Sequence, residues 1–404
     1  MDSRPLDALL GECPDGTVCT ALEGFDLGGN TVYARSLMIG HHFERPENSR
    51  FRSVELRLSH LEQWTEHSPF AFPIKPLSEG EPQGPCSLGL PYQKKRLIQA
   101  EIPTRACRLE IWSGIEPSWH VYRSLNINHA SFVFVEPTAP QAFAWFRTFL
   151  LELARLFSFL MGSRVCLTKT VLLCEEGADC SVELYGPTSS AVTAQDADPM
   201  RMPLSYSRFQ SAAPTVFSNW FCTASEMAPV YQLLCETLPP CDMGLESVLL
   251  RLAQALEVFY RRCVKKTYAH ANEYDVYLRH MTTHLPEKMP QALKDRLRNQ
   301  LKYGNEYSLR NVVTQLIESL DPPAREALHI KRPSGIAGLT ANTRNSLIHL
   351  SDVDGPVASG AREYHSTNQR LRALLYGVLA KSLGFGVPAV AHCVGIARAC
   401  LQRA

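Results

Sequence analysis

The chain has 404 residues, of which 45% are hydrophobic, 20% charged and 9% aromatic, with a formal net charge of +1. The length accommodates two or three domains, and the composition excludes a disordered chain, a collagen-like chain and a coiled-coil rod. The near-zero net charge excludes a uniformly basic nucleic-acid coat, yet the charge is unevenly spread: residues 241–404 hold 22 Lys and Arg against 14 Asp and Glu, and the remainder is net acidic. The C-terminal part is the half suited to a polyanion, although a plain helical surface accounts for such an excess equally well.

In chain order, the first 190 residues are predicted to be β-rich. Val54, Leu56 and Leu58 alternate with polar residues, as do 97–102 and 107–112. Further strands are predicted at 125–128, 131–135, 167–173 and 181–185. Six prolines between Pro69 and Pro91, with Gly80, Gly84 and Gly89, mark a loop. One helix is predicted over roughly 139–161. Its charges Arg147, Glu152 and Arg155 fall within about 140° of one another, leaving a wide apolar face. That pattern is a helix packed on a sheet rather than a membrane span. The expected fold class is α+β, beginning with a sandwich or open barrel that carries one long helix.

Residues 191–240 are expected to be a connector, with a helical segment at 216–238 stopped by Pro239-Pro240. From 241 to 404 the period becomes helical. Leu245, Val248, Leu249, Leu252, Leu256, Phe259 and Cys263 form one stripe, Leu293, Leu297 and Leu301 a second, and Leu309 to Leu320 a third. A fourth helix is predicted from Ser334, after Pro333, to about Ser351. A fifth carries Leu371 to Leu383 and stops at Gly384. Together they predict an all-α bundle.

Thirteen cysteines are scattered with no Cys-x-x-Cys pair, which predicts reduced, mostly buried thiols. The N-terminus lacks the basic start and apolar core of a signal peptide. A cytoplasmic protein without a membrane segment is the expectation.

The fourth helix contains Arg344-Asn345-Ser346-Leu347-Ile348-His349. Asn345 and His349 are i,i+4 and share a face, and the long Arg344 side chain can swing alongside. A guanidinium, an amide and an imidazole in one place suit RNA cleavage through the ribose 2′-OH. That reaction needs a general base for the 2′ proton, a general acid for the leaving 5′-oxygen and a cation for the phosphorane oxygens. Histidine suits the proton work, and arginine's planar fork suits the phosphate. The chemistry calls for no metal and no cofactor. Arg-Asn-x-x-x-His arises by chance in such a composition with a probability of roughly 3%. The competing reading is a helix whose polar residues merely face water.

This motif, on a late helix of a basic bundle, resembles that of the HEPN superfamily of ribonucleases, and the resemblance is closest to the Apea-like HEPN proteins of antiphage defence. The run Arg370 to Phe385 resembles the family's last long helix, and Val54 to Trp64 resembles the β-rich domain that precedes HEPN in ApeA. The resemblance implies a metal-independent endoribonuclease acting by abortive infection, with Arg344, Asn345 and His349 as catalytic residues. It implies RNA as partner, transfer RNA being one option, and a homodimer formed through the bundle. It also implies a phage-derived trigger that the sequence does not name, and a sensing or restraining N-terminal domain over residues 1–190. Many HEPN domains are non-catalytic RNA- or protein-binding modules, and that is the alternative.

Weaker signals include His280 and His284, which are i,i+4 without an evident third metal ligand, and Cys166, Cys174 and Cys180, which read as buried thiols rather than a zinc site. Gly384 to Ala389 imitates a dinucleotide fingerprint, but it follows a helix and reads as a helix stop and turn. Lys331-Arg332, just ahead of the motif helix, reads as a surface loop or as a phosphate contact.

Overall fold

In the computed structural model, residues 4–28, 31–43, 49–67, 94–120, 124–175, 180–186, 198–349 and 354–399 are described. The proline-rich stretch between Pro69 and Pro91 lies outside them, as do residues 350–353 at the expected end of the motif helix. The chain forms two compact units: Met1–Ala224 with Leu383–Phe385, and Ser225–Ser382 with Gly386–Ala404. Among the described residues no helix is long and apolar enough to cross a membrane.

The first unit is built on one antiparallel sheet. Its strands are β1 (Arg4–Glu12), β2 (Val18–Gly28), β3 (Thr31–Ile39), β4 (Arg50–Leu58), β5 (Lys95–Ile102), β6 (Cys107–His120), β7 (Ser124–Pro137), β8 (Gln141–Ala142), β9 (Leu167–Cys174) and β10 (Ser181–Tyr185). The order is β1-β2-β3-β10-β9-β4-β7-β6-β5, with β8 added against β4. The two strands expected at 125–128 and 131–135 are one continuous strand, β7, paired along its full length with β6 from His120↔Ser124 to Cys107↔Pro137. The meander β1–β3 was not anticipated. Its turn at Asp15-Gly16 places Gly16 at φ 84°, and the Asp15 carboxylate accepts the Thr17 N–H at 3.0 Å.

The predicted long helix is α2 (Phe143–Met161), following the single turn α1 (Leu61–Thr65). Its inner face is aromatic, and Phe146 meets Phe51 of β4 edge to face at 6.1 Å. Glu152 is also buried in this face, although the pattern placed it among the exposed charges. The reason lies on the short 3-10 turn Pro103–Arg105: Arg105 Nη2 donates to both Glu152 oxygens, at 2.5 and 2.7 Å. Burial pushes the Glu152 carboxyl above its usual range, and Arg105 opposes the shift.

Residues 198–224 pack with this unit through the turn α3 (Tyr206–Phe209) and the first half of α4 (Ala213–Glu236). Trp64 is fully buried, donates its indole N–H to Leu204 O at 2.8 Å and touches Phe157, Tyr206 and Phe209 edge to face. Trp220 donates to Glu152 O at 3.2 Å, and Phe221 stacks on Phe149 at 4.5 Å.

The second unit is helical: α5 (Leu245–Phe259), α6 (Ala271–Thr283), α7 (Gln291–Lys302), α8 (Leu309–Ser319), α9 (Pro322–Ala327), α10 (Pro333–His349), α11 (Gly360–Ser382) and α12 (Val387–Ala399). The α+β class and the helical C-terminal region expected from the sequence are what form. Helix α11 is the core, with Leu371 to Ala380 all buried, and it packs on α5, α8 and α12. Gly377 permits this approach, since a Cβ there would stand 2.8 Å from Val394 and 3.2 Å from Leu320. Helices α6 and α7 pair with each other and bury no residue.

Candidate active site

The motif helix α10 begins at Pro333, whose missing N–H costs nothing in the first turn of a helix. Ile336, Ala337, Thr340, Asn342 and Thr343 are buried, and the helix packs on α8 and α5. Two polar side chains set its rotation. Asn342 Oδ1 accepts from Arg310 at 3.3 Å, and its Nδ2 donates to the carbonyls of Asp354 and Pro356 at 3.4 and 3.3 Å. Thr343 Oγ1 donates to Leu339 O at 2.7 Å and accepts the Ala358 N–H at 2.8 Å. Gly355 must be glycine, because φ is 116° and a Cβ would lie 2.6 Å from the Asn342 amide nitrogen.

With that face pinned, the next residues turn outward. Arg344 Nη1 donates to Asn345 Oδ1 at 3.1 Å, so the two expected partners meet. Arg344 also faces Glu257 of α5 at 3.8 Å, which is attraction beyond hydrogen-bond reach. A guanidinium has five N–H donors, so most of them stay available for a ligand. His349 is the last described residue of the helix, is exposed, and its side chain makes no hydrogen bond among the described residues.

Arg344 and Ile348 line a cleft of about 610 Å³ whose opposite wall is α5. That wall supplies Arg251, Gln254 and Glu257, and the turn directly after α5 adds Arg261. Three arginines therefore border one cleft, and each faces one carboxylate: Arg251 with Glu236 at 3.2 Å, Arg261 with Glu306 at 2.9 Å, and Arg344 with Glu257. Asn345 and His349 do not line the cleft; they stand on the flank of α10 beside it. The arrangement suits a polyanion lying along α5 and α10, with an imidazole at the end of its path.

Sequence inspection did not single out Arg251, Gln254, Glu257 and Arg261. The signal was the face opposite the apolar stripe of α5 and the turn that follows it, where positions 251, 254, 257 and 261 recur at the helical period.

Two family models match the chain: the ApeA N-terminal domain 1 over residues 2–220, and the Apea-like HEPN domain over residues 250–386. The chain belongs to the Apea-like HEPN family. No curated protein and no solved structure matches it significantly. The HEPN match begins inside α5 and runs past the end of α11, so it contains the motif and the cleft residues Arg251, Gln254, Glu257, Arg261 and Arg344. Membership of the ApeA-type HEPN family points to antiphage defence, and HEPN domains often bind RNA and dimerise.

The other candidate residues have structural surroundings. The His280 and His284 rings lie 4.2 Å apart, with His284 Nδ1 bonded to His280 O at 2.8 Å. Among the described residues no group of three His, Cys, Asp or Glu is placed to hold a metal. Of Cys166, Cys174 and Cys180, expected to be buried thiols, Cys174 is buried while Cys166 and Cys180 are half-buried. Gly384, at φ 92°, separates α11 from α12 as a helix stop.

Proposed function

We propose that this Apea-like HEPN chain is an endoribonuclease that acts in antiphage defence by abortive infection in the cytoplasm. The observation that carries the reading is Arg344 on the wall of an open, arginine-bordered cleft, bonded to Asn345 on the flank beside it and about one helical turn before the exposed His349. Arg344 clamps the scissile phosphate and stabilises charge on its nonbridging oxygens. Asn345 holds the guanidinium in place. His349 transfers protons: one is removed from the ribose 2′-OH as O2′ attacks phosphorus, and one is delivered to the 5′-oxygen as the P–O5′ bond breaks. The products are a 2′,3′-cyclic phosphate and a 5′-hydroxyl.

Removing one proton and delivering the other in a single step needs two groups, and one chain supplies one motif histidine. A second copy of the chain, docked through the bundle, provides the other. The mechanism uses side chains alone and calls for no metal.

The test is an RNA profile of host cells expressing the parent or His349→Ala, before and during infection, with sequencing of 5′-hydroxyl ends. New ends that depend on His349 support the reading and name the RNA. Equal profiles in all conditions overturn it in favour of a binding module.

A further inference from the structure

Helix α5 ends in a single π-helical turn, Tyr260–Val264, a distortion that recurs at functional sites. Lys265 follows at φ 55°, turning the chain toward α6. Asn305 locks the next segment from below. Its Oδ1 accepts the Ala269 N–H at 2.8 Å, its Nδ2 donates to Ala269 O at 2.9 Å, and its own carbonyl accepts the Tyr268 N–H at 3.1 Å.

The locked segment shapes a cleft of about 380 Å³, within the ~300–1,000 Å³ of ligand sites. Lys265, Lys266, Tyr268, His270 and Tyr307 line it, with Glu273 the one carboxylate. Lys265 stands 3.9 Å from Glu226, whereas Lys266 makes no ion pair among the described residues. The Tyr307 ring packs between Tyr260, at 5.8 Å, and Tyr268, at 4.6 Å. Tyr268 is 55% exposed, so much of its ring surface is open. Its hydroxyl accepts from Asn311 at 2.7 Å and from the Ser308 N–H at 3.4 Å, which leaves its own proton to donate. Burial raises the Tyr268 phenol, but these bonds outweigh it and hold the group below its usual value.

Lys266 also borders an adjoining cleft of about 210 Å³ with Tyr260. The Tyr260 hydroxyl is buried and has no partner among the described residues, an uncompensated cost unless a ligand or water meets it. Arg261 of the same π turn lines the motif cleft, and its partner Glu306 precedes Tyr307. The surrounding segment 261–303 holds ten Lys and Arg against four Asp and Glu.

We propose that the Lys265–Lys266–Tyr268–His270–Tyr307 cleft grips one nucleotide of single-stranded RNA, holding its strand beside the motif cleft. Lys265, Lys266 and His270 take the phosphate, and an unstacked base lies on the Tyr268 ring. Basic residues interleaved with open aromatic rings suit single strands, whose bases are free to stack. A duplex keeps its bases inside and has nothing to offer the ring. The inference rests on the ribonuclease reading for its choice of nucleic acid.

The test uses the full chain carrying His349→Ala, so that RNA is not consumed, and fluorescence anisotropy with a labelled 12-nucleotide single-stranded RNA and the matching duplex. Single strands are expected to bind more tightly than duplex. Tyr268→Ala weakens binding about 5- to 150-fold, the range of losing one base stack, and Tyr268→Phe restores most of it. Lys266→Ala lowers the slope of log affinity against log salt by about 0.7, one phosphate contact on a single strand. Unchanged affinity and slope in both alanine variants overturn the site, as does duplex binding equal to single-strand binding. Cleavage by the chain with His349 intact separates the two readings. Cleavage unaffected by Tyr268→Ala and Lys266→Ala removes the site and keeps the ribonuclease. Cleft-dependent binding without any cleavage, including in infected-cell extract, keeps the site and removes the ribonuclease. A chain that binds no RNA removes both.

Discussion

Helices α5 and α6 are neighbours in sequence and differ in fate. Helix α5 buries Val248, Leu249, Leu252, Ala253, Ala255, Leu256 and Phe259 against the bundle. Helix α6 and its partner α7 bury nothing; Leu278, Leu297 and Leu301 are half-covered, while Val276, Tyr277, Met281 and Leu293 are exposed. The helical period is present in both regions. The contrast shows that periodicity selects a helix, whereas coverage of its apolar face depends on what the rest of the chain brings to it. On the proposed function it also divides the labour: buried faces hold the geometry, and exposed faces meet the ligand.

The largest expected effect tests that division directly. His349→Ala lowers RNA cleavage by ~10²–10⁴-fold, the usual contribution of a general acid–base group. Thermal unfolding is unchanged, because the side chain is exposed and makes no hydrogen bond among the described residues. A fall in melting temperature alongside the lost activity would erase the division.

Leu375→Ala is the opposite case. The residue is fully buried at the centre of α11, and truncation there costs about 2–5 kcal/mol, read as a lower urea midpoint. Asn342→Ala sits between the two. It strips the Asn342 ties from α10 and leaves the Asp354 and Pro356 carbonyls without this donor, costing about 1–3 kcal/mol, while the Thr343–Ala358 bond remains. Cleavage falls with stability here, because Arg344 depends on the rotation of α10.

The first unit adds a half-buried counterpart to the exposed histidines. His67 Nδ1 and His129 Nε2 both bond to Ser113 Oγ, at 3.1 and 3.0 Å, and Ser131 donates its N–H to Glu62 at 2.7 Å. Burial, with Lys95 next, lowers the pKa of His67; burial, with His67 next, lowers that of His129. Both favour the folded state above the ordinary histidine value of 6.5 and lose that contribution as pH falls through their folded values. Glu62, pushed above 4.5 chiefly by burial, works the other way and moderates the loss. The urea midpoint of the first unit's transition is therefore expected to drop between pH 7.5 and 5.5, and His129→Asn to flatten the profile.

The smallest effect belongs to the hairpin. Leu293→Ala on α7 changes stability by less than about 0.5 kcal/mol, since the residue is 44% exposed. A loss comparable to that of Leu375→Ala would mean that the hairpin's apolar face is covered in solution.

Much of the fold followed from local pattern. The strands at 54–58, 97–102, 107–112, 167–173 and 181–185, and the helices around α2, α4, α5, α8, α10 and α11, carry clear alternation or helical stripes. The meander β1–β3 does not. Leu9, Leu10, Phe25 and Val32 are exposed while Leu22 and Met38 are buried, so no consistent inward face was available to detect. Helix α6 escaped notice because its stripe is short, with only Tyr274, Leu278 and Met281 at the helical spacing.

By itself, the sequence determined the order of β-rich and helical regions, the helix that carries Arg344, Asn345 and His349, and the basic character of the second half. Those features are local: a period of two or 3.6, a proline at a helix start, a count of charges. Only the tertiary structure decided that Arg251 and Arg261 would join Arg344 across one cleft, that Glu152 would be buried against Arg105, and that Tyr260, Tyr268 and Tyr307 would form one aromatic cluster. Each depends on groups far apart along the chain, or on the exact turn between them. Their energies arise from close approach in a partly desolvated place, which no spacing along the sequence encodes.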